Sequence, residues 1–300
     1  MIPPNKLKYK VAIIGAGPAG IACAIQLKRY RIDFVLFERD KRGGLLRNAN
    51  CVKNYPGFPE GITGLKFVNL LCRHLTLNNI KILKENVKLV DFKNNEFKIK
   101  TEKRKYKTEI LVIASGTKPL KLPIPLSTRV RSRVFYDMVD FKGFKNKTIA
   151  IIGSGDAAFD YAFSLSSKNE VLILSRSKQV KCLSVLFRKC IENRKIKYLS
   201  SIKISKIDFK DKRLLLYSFN KKPIYVDYLL VAIGRLASLD FLNDNIINKL
   251  KMLEHKKKLY MIGDVKNGVF RQIAIAVGDG VRSAMEIYFR LKSNNQSSRE

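Results

Sequence analysis

Three glycines carry the first chemical signal: Gly15, Gly17 and Gly20, in the spacing G-x-G-x-x-G directly behind the apolar run Val11–Ile14. Pro18 and Ala19 fill the gap, and Ile21 to Tyr30 places Ile21, Ala24, Ile25 and Leu27 at helical spacing. A strand, a glycine turn and a helix N-terminus in that order suit a pyrophosphate. The first glycine allows the turn, the second admits the phosphate close to backbone, and the third lets helix pack on strand. The helix start adds free N–H groups and the positive end of a dipole. A second apolar run, Phe34–Phe37, ends in Glu38, where a carboxylate accepts hydrogen bonds from ribose hydroxyls.

The same pattern returns 138 positions later. Ile149–Ile152 leads into Gly153, Gly155, Asp156, Ala157 and Ala158, and comparing 11–27 with 149–165 gives eight identities in seventeen. Gly20 becomes Ala158, which the third position tolerates. The following strand, Val171–Leu174, ends in Ser175-Arg176-Ser177-Lys178 instead of an acid. A carboxylate there repels a 2′-phosphate, whereas arginine and serine bind one, so this turn reads as an NADPH site and the first as a site for a free 2′-hydroxyl.

The elements around these turns follow from pattern. Gly64 to Asn78 reads as a helix with Phe67, Leu70, Leu71 and Leu75 on one face. Ile80–Leu83, Val87–Phe92 and Phe97–Lys100 read as a small antiparallel sheet of hairpins. Ile110–Ala114 is a buried strand closing at Ser115-Gly116-Thr117, and Pro119, Pro123 and Pro125 mark the way out of a domain. Hairpin strands are expected near 203–207 and 213–217. Tyr228–Ile233 then repeats the strand ending, at Gly234, and Leu259–Ile262 ends in Gly263-Asp264. A helix begins near Arg271-Gln272, and the tail from Ser293 to Glu300 reads as disordered. The fold class is α/β, with two Rossmann-like three-layer domains, the second inserted in the first. A free 2′-hydroxyl suits the adenosine of FAD, so the expected boundaries are 1–118 and 242–300 for an FAD-binding domain and 119–241 for an NAD(P)H-binding domain.

Composition narrows the class. With 46% hydrophobic residues a substantial core is available, yet no run of eighteen apolar residues exists to span a membrane. Met1 to Lys10 lacks the apolar stretch of a secretory leader. Five scattered cysteines (Cys23, Cys51, Cys72, Cys182, Cys190) fit a reducing cytoplasm better than a disulfide framework or zinc cluster. Two distant histidines, His74 and His255, offer no metal or triad site. The net charge of +34 arises from 59 basic against 25 acidic residues and bears on association. The basic residues are dispersed and no nucleic-acid module is visible, which leaves a solvated basic surface or an acidic electron-carrier partner.

The ordered set Gly43-Gly44, Asn54-Tyr55-Pro56-Gly57, Ala114-Ser115-Gly116-Thr117, Ala232-Ile233-Gly234, Gly263-Asp264-Val265 and Arg271-Gln272-Ile273-Ala274 resembles the low-molecular-weight thioredoxin reductase family over nearly the whole chain. The resemblance implies FAD on the first glycine turn, NADPH or NADH on the second, and a homodimer. Its cofactor-binding set falls on Gly15, Gly17, Pro18, Ala19, Gly20, Glu38, Gly43, Gly44, Leu45, Asn54, Val87, Gly116, Gly153, Gly155, Asp156, Ala157, Ala158, Ser175, Arg176, Lys181, Gly234, Gly263, Asp264, Arg271, Gln272 and Ile273. The helix near Arg271-Gln272 points its positive end at the charge of a reduced flavin, and Asp264 accepts from ribityl hydroxyls.

The chain also departs from that family. The family's Cys-x-x-Cys falls on Tyr136 and Val139, neither of which forms a thiolate, and its His-Arg-Arg is here Ser175-Arg176-Ser177, with Lys181 for a later arginine. Four functions stay open. The first is an FAD-dependent NAD(P)H oxidoreductase passing hydride from NAD(P)H to FAD and on to an unidentified acceptor; the alternatives are a ferredoxin or flavodoxin–NADP reductase, a single-cysteine disulfide reductase using Cys51, and a non-catalytic nucleotide-binding or sensing flavoprotein.

Overall fold

Val11, Ala12 and Ile13 are wholly buried because the strand that carries them, Lys8–Ile14, is covered on both faces. The computed structural model describes residues 6–141, 143–219 and 221–297. These form two units. The first runs to Arg47, resumes over Cys51–Thr117 and again from Ala237; the second holds Asn48–Asn50 and Lys118–Leu236.

The first unit is built on one seven-stranded sheet. Lys8–Ile14 lies between Phe34–Glu38 and Lys105–Ile113, parallel to both, with Val11 opposite Phe34 and Ile110. One face packs on the helix Pro18–Arg29 and the C-terminal helix Ile273–Ser297, burying Cys23, Ala24, Leu27, Ala276, Ala284 and Ile287. The other carries Phe37, Phe97, Leu111 and Ile113 and is covered by Ile246 and Leu253 of the helix Asp244–His255. The separate hairpin sheet expected from 80–100 is not formed. Ile82–Lys84 pairs parallel with Phe34–Glu38 as an edge of the main sheet. Val87–Lys93 and Glu96–Thr101 do form an antiparallel hairpin, but it joins the same sheet. The cause is the nine-residue length of Lys105–Ile113: one edge runs parallel to Lys8–Ile14, while along the other edge its first half pairs antiparallel, Phe97 opposite Thr108, and its last residues pair parallel with Leu259–Met261.

The second unit repeats the parallel core. Its order is Ile196–Leu199, Glu170–Leu174, Thr148–Ile152, Tyr228–Val231 and Val134–Phe135. Phe159, Ala162 and Cys190 cover one face. Ile207, Leu214, Leu216 and Val226, from the antiparallel strands Ile204–Lys210, Arg213–Ser218 and Ile224–Val226, cover the other. The expected hairpin near 203–217 is thus present.

The chain re-enters the first unit at Ala237, five residues before the expected 242. Leu239, Phe241 and Leu242 already pack in the first unit's core, Ser238 N–H donates to Gly116 O at 3.0 Å, and Val90 N–H donates to Phe241 O at 2.7 Å. The C-terminal helix continues to Ser297, so the disorder expected from Ser293 does not begin there; residues 298–300 of that tail lie outside the described residues. Among the described residues no helix is long and apolar enough to cross a membrane.

The two helices on the first face meet backbone to backbone. A Cβ on Gly280 would lie 2.3 Å from Ala19 O and 2.9 Å from Cys23 N, so only glycine permits this approach. Gly280→Val is therefore expected to lower the stability of the chain by roughly 2–3 kcal/mol, read as a lower urea midpoint. An unchanged midpoint would show that the helices do not meet this closely.

Candidate functional site

The first glycine turn is closed by its own backbone. Gly15, at φ +108°, donates its N–H to Phe37 O at 2.9 Å, and a Cβ on it would lie 2.3 Å from Ala114 O. A Cβ on Gly20 would lie 1.9 Å from Gly15 O. Gly17 between them would meet nothing within 4 Å. Two glycines are consumed by packing and the middle one faces open space, the shape that lets a phosphate approach backbone. The helix begins one residue later with Pro18 in its first turn, where a missing N–H costs nothing.

Around this turn several other candidates lie at or just beyond the carboxyl ends of the parallel strands, where open α/β sheets bind ligands. Glu38 ends its strand with Oε2 accepting from Ala16 N–H at 2.9 Å and Oε1 from Asp40 N–H at 3.0 Å. Each carboxylate oxygen keeps a further lone pair for a ligand hydroxyl. Gly43 donates to Ala16 O at 2.8 Å, folding the Gly43-Gly44 loop over the turn, and Leu45 follows in the 3-10 helix Gly44–Asn48. Asn54 Nδ2 donates to Gln272 Oε1 at 2.9 Å, joining residues 218 positions apart immediately before the C-terminal helix starts at Ile273. Asp264 sits in the 3-10 turn Gly263–Val265, after the strand that pairs with Lys105–Ile113. Val87 is buried at the start of its strand, and Gly116 O is taken by Ser238 N–H.

The second turn repeats the construction. Gly153 donates to Leu174 O at 3.0 Å, a Cβ on it would lie 2.5 Å from Ala232 O, and Gly155 would meet nothing within 4 Å. Ala158 fits where Gly20 was obligatory, with Gly153 at φ +154° and so more extended than Gly15. The following loop is strapped across this turn. Lys181 N–H donates to Ser154 O at 2.8 Å and Leu183 N–H to Asp156 Oδ1 at 2.8 Å. Arg176 is exposed on that loop. Ser175 is placed otherwise than its expected role requires: only 1% exposed, it donates its hydroxyl to Ser177 O at 2.8 Å and shapes the loop from beneath. Gly234 O accepts from Leu120 N–H at 3.0 Å.

A further polar group in the second unit escaped the sequence reading. Asp137 accepts from Arg235 at 3.0 Å and from Asn48 Nδ2 at 3.1 Å, while Asn48 Oδ1 accepts from Val139 N–H at 3.2 Å. Asn48, though in the 3-10 turn after Gly44, thus fastens the segment of Tyr136 and Val139 at two points. Asn50 N–H donates to Asp160 Oδ2 at 3.2 Å, and burial holds the Asp160 carboxyl above the ordinary carboxylate range. The only local signal for these residues was polar character in an apolar neighbourhood.

The thiols divide sharply. Burial pushes Cys23 up to about 12 and Cys190 up to about 11, and Cys190 donates to Phe159 O at 3.4 Å. Burial and then the Asp156 charge raise Cys182. Cys51 is exposed, packed against Gly61 in a loop closed by the Val52–Ile62 bridge.

Two glycine turns, each following a parallel strand of its own sheet, with one unit interrupting the other in sequence, define a protein with two Rossmann-like nucleotide domains. The profile of the family described as pyridine nucleotide-disulphide oxidoreductase matches residues 9–280, and the chain belongs to that family. Within it the chain is thioredoxin reductase-like, an FAD-dependent NAD(P)H oxidoreductase. It is 28% identical over 297 residues to the thioredoxin reductase of Bacillus subtilis (strain 168), covering 93% of each chain. It superposes on the Lactococcus lactis thioredoxin reductase, in its FR conformation, with a TM-score of 0.82 and 26% identity over 93% of this chain and 98% of that one. The T. acidophilum thioredoxin reductase, at 24% identity and a TM-score of 0.81 over 95% and 99% of the two chains, shares the fold.

The thiol environments predict a labelling order. With an aromatic disulfide reagent at about pH 8, native protein should lose Cys51 first, and Cys51→Ser should remove the fast phase. Cys23 and Cys190 should react only on unfolding; native-state labelling of Cys23 would contradict its burial.

Proposed function

We propose that this chain passes electrons from NAD(P)H through FAD directly to an acceptor outside the chain, with no dithiol of its own between them. The observation that carries this is the cysteine pattern: positions 136 and 139 hold tyrosine and valine, and no two of the five cysteines stand three residues apart. The Asn48–Asp137–Arg235 contacts support the same reading, because they fasten this segment with groups that do no redox chemistry.

The chain's residues fit the two nucleotides. The open space at Gly17 and Gly155, between neighbours already closed by packing, is room for two pyrophosphates. Each following helix turns unpaired N–H groups toward that space. Glu38 keeps lone pairs that would take ribose hydroxyls, and Asp264 would accept from ribityl hydroxyls of bound FAD. The N-terminus of the C-terminal helix, beside Arg271 and Gln272, favours negative charge on the flavin ring. Arg176 and Lys181 supply cationic groups for a 2′-phosphate, with Ser175 fixing their loop. When bound, flavin supplies the chemistry, accepting a hydride from nicotinamide C4 at N5.

For the acceptor, the +34 charge favours an acidic electron-carrier protein of the ferredoxin or flavodoxin kind over a neutral small molecule. Attraction of this kind acts over a Debye length of about 8 Å at physiological salt and raises association rates at low salt.

The purified chain is expected to hold FAD, and Glu38→Ala to weaken it by about tenfold or more, measured by fluorescence titration of the apoprotein. FMN in its place, or unaltered FAD affinity in the variant, would refute the assignment of the first turn. Thioredoxin-coupled reduction of insulin should be absent, and turnover on the order of ten per second would overturn the proposal. Reduction of an acidic carrier should fall steeply as salt rises while quinone reduction stays level. Equal salt indifference of both would reduce the charge to composition alone.

A further inference from the structure

A carboxylate that orients a flavin must itself be held still. Asp264 lies in the short 3-10 turn Gly263–Val265, and the next three residues, Lys266 to Gly268, are loop. Within this turn Lys266 and Asn267 both donate N–H to Gly263 O, at 3.0 and 3.2 Å. The Gly263 N–H points the other way, to Asp279 Oδ2 at 3.0 Å, and the same oxygen accepts from Asn267 Nδ2 at 2.7 Å. One carboxylate oxygen on the C-terminal helix therefore closes the turn from both of its ends.

The backbone beside Asp279 is closely packed. Asp279 precedes Gly280, which lies against the backbone of Ala19 and Cys23 and leaves no room for a Cβ. Gly263 has φ +72°, and a Cβ there would lie 2.8 Å from Ala19 Cβ. The helix that starts at Pro18, the C-terminal helix and the Asp264 turn thus meet at one point. Charge matters at that point: a second carboxylate in place of Asn267 would repel the Asp279 carboxylate instead of donating to it.

We propose that Asp279 is the positioning residue for Asp264. By gripping Gly263 and Asn267 it fixes where the Asp264 carboxylate meets the ribityl chain and ties that place to the Gly17 turn. This rests on the reading of Asp264 as a flavin ligand. Asp279 acts through the turn and touches no cofactor.

The test is FAD affinity of the apoprotein by fluorescence quenching, with apoprotein melting measured alongside. Asp264→Ala, Asp279→Ala and Asn267→Asp should each weaken FAD by about tenfold or more. The double exchange Asn267→Asp with Asp279→Asn re-creates the pair with its one charge moved to position 267: the introduced amide oxygen accepts from Gly263 N–H and its amide N–H donates to the introduced carboxylate. It should return FAD affinity to within about threefold of the native value, and a merely structural role for Asp279 does not predict that recovery. FAD bound normally by Asp279→Ala but weakly by Asp264→Ala overturns the proposal and leaves the flavin reading intact. Normal binding by both variants overturns the flavin reading itself. A double exchange as weak as the single changes, with the apoprotein still folded, also overturns the proposal; so would recovery of melting without recovery of FAD binding.

Discussion

Close approach of backbone to backbone is the constraint on which this molecule depends. The carbonyls of Gly15, Ala19, Ala114 and Ala232 each lie where a single added Cβ would collide. Because those collisions are avoided by Gly20, Gly280, Gly15 and Gly153, helices can begin almost on top of strands. The open positions at Gly17 and Gly155 exist only because their neighbours are shut. Ligand room here is a by-product of tight packing, not of a large cavity, and it explains why two units with different outer elements keep the same turn.

The duplication also shows how one architecture can be completed from opposite ends of a chain. In the first unit the strand beside the central pair, Leu259–Met261, comes from the C-terminal segment. In the second the equivalent place is taken by Val134–Phe135, which precedes its glycine turn. The insertion follows naturally: the first unit waits for its last strand until the second has been threaded. It also leaves the Asp264 turn and the C-terminal helix on the final segment, so the first glycine turn gains these partners only when the chain returns.

What was legible in the sequence was what short spacing encodes. Both glycine turns, the acid at Glu38, its absence at Arg176 and the helix beginning beside Gln272 are local patterns; in the structure Glu38 is the last residue of its strand and the helix starts at Ile273. The parts not legible depend on distant partners. Ile80–Leu83 has the look of a hairpin strand, yet Phe34–Glu38 captures it in parallel. Ser175 reads as a phosphate ligand, but the turn at Ser177 draws its hydroxyl inward. Asn48 and Asp137 are 89 positions apart, and Asp137 and Arg235 are 98, so no window along the chain announces that they meet. Asp279 carries no local motif, and Gly263 and Asn267, which share its oxygen, lie 16 and 12 positions away.

The central claim is that this thioredoxin reductase-like chain holds flavin but no internal dithiol in its electron path. An anaerobic reductive titration tests it most directly, counting the electrons taken up per bound flavin. A reductase with its own redox disulfide takes up about four, two on the flavin and two on the disulfide; one that relies on flavin alone takes up about two. The account predicts complete bleaching at two electrons, with the same number of free thiols before and after reduction. Uptake of four electrons with the appearance of two new thiols would contradict it.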